Sequence, residues 1–301
     1  MNIVIAGGTG FVGQHLTEHF TSKGDHVSIL TRHPENHEDG ENVRYVGWLK
    51  EEYAPENQLQ NVDAIINLAG ASLAGGRWTP ERKQLIRQSR IDATNGVLSL
   101  IENLDKTPDV LVNGSAVGFY GTSVYKSFTE NTEEPGNGFL ASVTKDWEAT
   151  ASQAKLKGVR TVYARFGLIL GTEGVLPLMK LPYKYFVGGR LGNGEQWMSW
   201  VHIDDVVGAI DEAVHNSSIE NALNVTAPTP KRNEDFLRTL GEVLERPHWC
   251  HVPAVVISKT LGEMSTLVLN GQAVYPQKLK SHDYQFHYSD VHGALHSILK
   301  K

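Results

Sequence analysis

Apolar runs and glycine-rich breaks alternate from the first residue. Asn2-Ile3-Val4-Ile5-Ala6 is short, apolar and β-branched; Gly7 to Gly13 is glycine-rich; Gln14 to Ser22 has a helical pattern; and His26-Val27-Ser28-Ile29-Leu30 is apolar again. This order predicts strand, glycine turn, helix and strand. Further strands are expected at Val43 to Val46, in the apolar run Asp63 to Gly70, at Val110 to Asn113 and at Val159 to Arg165. Between them, Pro80 to Asn103 carries an apolar stripe of Leu85, Ile86, Ile91, Val97, Leu98 and Ile101, with a proline suited to a helix's first turn. Phe139 to Leu156 and Asp204 to His215 read as two more helices. Such alternation predicts an α/β chain with a doubly wound parallel sheet. After Leu170 the pattern loosens: Gly188 to Gly194 is loop-like, and a compact helical tail is expected after Pro253. The division read from this is a dinucleotide-binding domain over 1–170, completed by 200–226. A smaller C-terminal substrate lobe would take 171–200 and 227–301, with a helical module at about 248–297.

The glycines give the first chemistry. Gly8, Gly10 and Gly13 satisfy G-x-G-x-x-G, and Gly7, Gly10 and Gly13 give G-x-x-G-x-x-G, so both phasings stay open. Either one, after a strand and opening a helix, is the context of a Rossmann-like nucleotide site. There a pyrophosphate meets free N–H groups and the positive end of the helix dipole, with Thr9, Phe11 and Val12 on the same turn. At the end of the second strand, where NAD binders place an acidic residue, stands Thr31-Arg32-His33. A guanidinium there suits a 2′-phosphate, so NADP(H) is the expected cofactor, unless Arg32 is an ordinary solvated arginine. Leu68, Ala69 and Gly70 are expected beside the cofactor at the switch point of the sheet, or else in plain strand packing.

Composition narrows the partners. At 301 residues with a net charge of −6, the chain has no basic face for nucleic acid and no polybasic tract for a membrane surface. The single cysteine, Cys250, excludes an internal disulfide, and no stretch reaches the roughly 18 apolar residues of a membrane span. The first apolar run is too short for a signal peptide, so a soluble cytoplasmic protein is expected. No metal is expected, because His248, Cys250 and His251 have no second pair at zinc spacing. A homodimer remains open.

Four segments carry a family resemblance: Gly7 to Gly13, Asn67 to Gly70, Ser115-Ala116-Val117-Gly118-Phe119-Tyr120-Gly121 and Arg165-Phe166-Gly167. Together they resemble an atypical or extended short-chain dehydrogenase/reductase. More narrowly, Gly192-x-Gly194-x-Gln196-Trp197-x-Ser199-Trp200-x-His202-Ile203-x-Asp205 resembles the NAD-dependent epimerase/dehydratase-like proteins. Leu261 to Met264 and Gly271-Gln272 resemble their C-terminal module of the DUF1731 type. The resemblance implies NADP binding and places Arg90, in Ser-Arg-Ile, near the cofactor or on an exposed helix face. It also implies a Tyr-x-x-x-Lys pair for proton transfer, from which this chain departs: Lys145 is present, but Ala141 stands in the tyrosine's place. The usual serine aligns with Ala116, leaving Ser115 one residue early.

Ser115, Tyr120 and Lys145 are therefore the catalytic candidates. Lys145 reads equally as a ribose contact and as a solvated partner of Asp146. The expected function is an NADP-dependent oxidoreductase or nucleotide-sugar-type epimerase acting on a small polar substrate. The alternative is a cofactor-binding sensor that has lost its proton-transfer residues. For Trp197, Trp200 and His202, a structural role is the stronger expectation.

Overall fold

The computed structural model describes residues 1–300. Strands β1 (Asn2–Ala6), β2 (His26–Thr31), β3 (Val43–Gly47), β4 (Ala64–Asn67), β5 (Val110–Ala116), β6 (Arg160–Phe166) and β7 (Asn221–Val225) form one sheet. Its order is β7-β6-β5-β4-β1-β2-β3, and every pair is parallel. From β1 the chain moves outward through β2 and β3, then returns to β1's other side as β4. The switch point thus lies between β1 and β4, where a Rossmann-like sheet opens a crevice at its carboxyl ends.

Helices cover both faces. Leu16 and Phe20 of α1 (Phe11–Ser22) share one core with Val206 and Ile210 of α5 (Ile203–His215). On the other face, α2 (Pro80–Asn103) buries Ala93, Val97, Leu100 and Ile101. Helix α3 (Phe139–Ala151) packs beside α2, and Val143 joins Trp78 and Ile86 in a smaller cluster. A separate core gathers Leu176 and Tyr183 of α4 (Leu176–Lys184), Phe236 and Leu240 of α6 (Asn233–Leu244), and Leu295 of the last helix, Val291–Leu299.

Three boundaries differ from expectation. Helix α1 begins at Phe11, not Gln14, because backbone alone closes its first turn: Gly10 is the N-cap, and Gln14 donates to its carbonyl. The helical segment after Phe139 leaves α-geometry at Ala151, becomes a 3₁₀ turn over Ser152–Lys157 and ends at left-handed Gly158. Within the segment read as a loop, Gly189–Leu191 is a short strand paired in parallel with Cys250–Val252. The tail is also tied back to the main sheet. Ala273–Val274 pairs with Ser127–Phe128, and the buried Asp205 carboxylate accepts the N–H groups of His287 and Tyr288.

Candidate cofactor and substrate cleft

The glycine turn resolves its own phasing. Gly7 has φ +82°, and a Cβ on it would lie 2.9 Å from the Leu68 carbonyl carbon. One on Gly13 would fall 2.3 Å from the Gly7 oxygen and 2.5 Å from Gly8 Cα, so helix and strand meet at van der Waals limits. Gly8 instead faces Ile29, away from the crevice. Gly7, Gly10 and Gly13 thus make the cleft wall, with Phe11 and Val12 between them. The helix N-terminus has no side-chain cap, which leaves its first N–H groups for an anion. Thr9 contributes its carbonyl to Gln14 Nε2.

The cleft encloses about 810 Å³. Leu68 lines it at the end of β4, and Gly70 lets Arg90 approach, since a Cβ there would lie 3.0 Å from Arg90 Cγ. Arg90 also lines the cleft. Its Nη1 donates to the Ala71 and Ile86 carbonyls at 3.1 and 2.8 Å, and its guanidinium sits 5.0 Å from the Trp147 ring centroid. Among the described residues no carboxylate pairs with it. Burial, with a smaller push from Arg82, lowers its pKa to about 10. It is a cation held without a counter-ion in the same cleft as the glycine turn. Thr31 and Arg32 stand at the end of β2, outside the enclosed part, with Arg32 exposed.

The three catalytic candidates do not converge. Ser115 lines the cleft and donates to Glu148 Oε1 at 2.6 Å. Glu148 takes a bidentate pair of bonds from Arg165, both 2.8 Å, and Arg165 Nη1 donates to the Tyr120 hydroxyl at 2.9 Å. Tyr120 in turn donates to Asn224 at 2.7 Å. Within this buried chain the Tyr120 hydroxyl has a partner on each side. The phenol is 3% exposed, lies outside the cleft lining, and burial raises its pKa despite Arg165 beside it. Lys145 stands apart from this chain. Leu140, Ala141, Val143, Thr144 and Trp147 give α3 its cleft-lining face, whereas Lys145 is exposed and absent from it. Leu140 and Thr144 occupy cleft-facing positions at the i, i+4 spacing a tyrosine–lysine pair would need, and Lys145 is one residue, about 100°, further round.

Sequence reasoning passed over Glu148, which organises this chain, and the pair Asn67 and Asn113. Asn67 Nδ2 donates to Asn113 Oδ1 at 2.7 Å and to Thr94 Oγ1 at 3.1 Å, and Trp147 Nε1 reaches the same Thr94 hydroxyl at 3.0 Å. The available signal was a polar residue at the end of each of two apolar runs, since buried amides persist only when partnered.

Large apolar side chains make up much of the rest of the lining: Leu73, Trp78, Phe139, Val143, Met179 and Leu267. Polar residues stand among them, including Glu263, Thr266, Asn270, Gln272 and Gln196. Gln196 is 3% exposed, its Nε2 donates to the Leu191 and Val268 carbonyls, and its Oε1 has no partner among the described residues. Trp197 lines the cleft with its Nε1 bound to the Val124 carbonyl, whereas Trp200 is fully buried and bonded to Thr229. His202 Nδ1 caps α5 by accepting from Asp204 N. His248 bonds to Tyr183 and His251 to the Gly192 carbonyl, so their ring nitrogens have separate partners.

The family model described as NAD dependent epimerase/dehydratase family matches residues 3–226, and that of a domain of unknown function, DUF1731, matches 252–298. Epimerase family protein YfhF of Bacillus subtilis is 46% identical, over 99% of this chain and 98% of its own. Epimerase family protein MW0731 of Staphylococcus aureus is 42% identical over 99% of both chains. Among solved structures, human epimerase family protein SDR39U1 (isoform 2) with NADPH superposes at TM-score 0.87 with 27% identity, each chain fully covered. A UDP-glucose 4-epimerase of Thermotoga maritima, 17% identical, superposes at 0.77 over 100% of this chain and 98% of its own, a likeness of fold.

Proposed function

The chain belongs to the NAD-dependent epimerase/dehydratase family, and from that premise we propose that it binds NADP(H) and moves hydride between the nicotinamide and a substrate with a hydrocarbon body, reducing its carbonyl or oxidising the corresponding alcohol. The carrying observation is Arg90, a guanidinium without a carboxylate, in one cleft with an uncapped helix N-terminus. Both favour an anion, and a pyrophosphate is the one this turn geometry accommodates. The relative whose structure holds NADPH supports the choice of cofactor. Gly7 to Val12 would cradle the pyrophosphate, Arg32 would meet the 2′-phosphate, and Leu68 to Gly70 would pass beneath the adenosine. When bound, the nicotinamide supplies a reversible hydride store.

The chain's own contribution is orientation. Ser115 is the one catalytic candidate that lines the cleft, and with its proton held by Glu148 it turns lone pairs toward a ligand. It would accept from a substrate hydroxyl, and Gln196 Oε1 offers a second acceptor. The large apolar side chains of the lining move the substrate from the small polar compound expected to one with hydrocarbon bulk. A sensor without turnover is the second reading, favoured by Ala141 in the tyrosine's place and by Lys145 lying outside the cleft lining. Calorimetry with NADPH, followed by NADPH-oxidation assays on aliphatic and aromatic ketones, tests both. Binding with turnover supports the enzyme, binding without turnover across the series supports the sensor, and no binding overturns both.

A further inference from the structure

Two neighbouring segments, 176–190 and 246–261, differ from the rest of this acidic chain. Between them they carry Lys180, Lys184, Arg190, Arg246 and Lys259 and no aspartate or glutamate, although the whole chain has a net charge of −6. They are joined through the paired strands Gly189–Leu191 and Cys250–Val252, and Trp249 Nε1 donates to the Phe186 carbonyl. Large apolar side chains point outward here. Leu178 and Leu181 of α4 and its C-cap Tyr185 are 61%, 49% and 66% exposed. Beside them Phe186, Val187 and Trp249 are exposed, Trp249 at 70%, and Val255 and Val256 extend the patch at the start of the helix Ala254–Leu261. Cations are interleaved: Lys180 and Lys184 alternate with the α4 apolar residues, and the Arg246 guanidinium lies 4.8 Å from the Phe186 ring centroid.

We propose that this face docks on an anionic lipid surface. Aromatic and aliphatic side chains among lysines, without acids, form the pattern of an interfacial segment: the apolar groups enter the headgroup boundary and the cations meet lipid phosphates. A second copy of the chain fits less well, because a two-fold contact would set the same cations against themselves. Sequence charge alone excluded a membrane partner, since the cations are dispersed along the chain and gather only when the two segments pair. The face also adjoins the cleft. Val175 and Met179, flanking Leu178, line the cleft wall, as does Leu267. A hydrocarbon substrate would thus enter from the lipid phase; that consequence rests on the proposed function, whereas the docking does not.

The test is flotation of the full chain, without cofactor, on vesicles of phosphatidylcholine alone or with one-third phosphatidylglycerol. Binding is expected only with the anionic lipid and should weaken with salt. Replacing both lysines (Lys180→Gln with Lys184→Gln) should lower the partition constant about 10- to 30-fold, at roughly fivefold per basic residue. Trp249→Ser with Tyr185→Ser should lower it comparably, and a melting curve checks that each variant is folded. No binding to anionic vesicles at low salt overturns the proposal, as does binding that both pairs of substitutions leave unchanged. So would a dimer by sedimentation that these substitutions split while the vesicles stay bare.

Discussion

The two ends of the cleft are made of different material. At the β1–α1 end the wall is backbone: Gly7, Gly10 and Gly13 line it without side chains, and the decisive charge, Arg90, is held by two main-chain carbonyls. At the far end the wall is side chain, with Trp78, Phe139, Met179 and Leu267 contributed by segments far apart in sequence. A backbone wall recognises what every dinucleotide shares, and a side-chain wall can be recut for each substrate. The family relation therefore carries the cofactor further than it carries the substrate.

The largest effect should come from breaking the backbone end. An added Cβ on Gly10 would meet one atom within 4 Å, the Gly7 oxygen at a tight 3.3 Å that a shift of a few tenths of an ångström relieves, so Gly10→Val should keep the fold and lose NADPH binding by more than about 100-fold. Calorimetry alongside a melting curve measures both, and normal binding by a folded variant would place the phosphates elsewhere. Next in size is the buried pair beneath the cleft. Glu148→Gln leaves the Arg165 guanidinium unbalanced and should cost about 3–5 kcal/mol of stability, read as a lower urea midpoint.

Arg90→Met should weaken NADPH about 10- to 150-fold while the apo protein melts no lower. The sign follows from its lowered pKa. Below about pH 10 the guanidinium is charged in both folded and unfolded chains, so the folded state bears the full penalty of burying it, and above that pH the penalty is relieved as the folded state releases the proton first. A markedly less stable Arg90→Met protein would make Arg90 a structural strut instead. The smallest effect belongs to exposed Arg32: Arg32→Asp should cost about tenfold in NADPH affinity and little in NADH affinity. Equal affinities of the unmodified protein for the two cofactors would remove the 2′-phosphate assignment.

The same contrast governs what could be read in advance. Strand, turn and helix at the N-terminus were legible because glycine spacing and β-branched runs are local, and the alternation of elements sufficed for the parallel sheet. For Lys145 two readings stayed open because a helix turns about 100° per residue: one position of register separates the cleft-lining Thr144 from an exposed lysine. The bonding of Tyr120 was not legible because its hydroxyl is claimed by Arg165 and Asn224, partners 45 and 104 residues away. Glu148 carried no signal, since a carboxylate inside a helix looks solvated until the strand that supplies its arginine is in place. The apolar and cationic face was hidden in the same way, spread over two segments that only pairing unites.

The tail strap has a kinetic meaning. Gln272 donates across 155 residues to the Val117 carbonyl, and Ala273–Val274 closes on Ser127–Phe128, so part of the substrate wall is built from pairings of very long sequence separation. Such contacts form late, because the loop they close must first lose its freedom. On the ribosome, the nucleotide half of the cleft would therefore be in place before its substrate half exists, and a cofactor that binds this early would act as a ligand for folding as well as for chemistry.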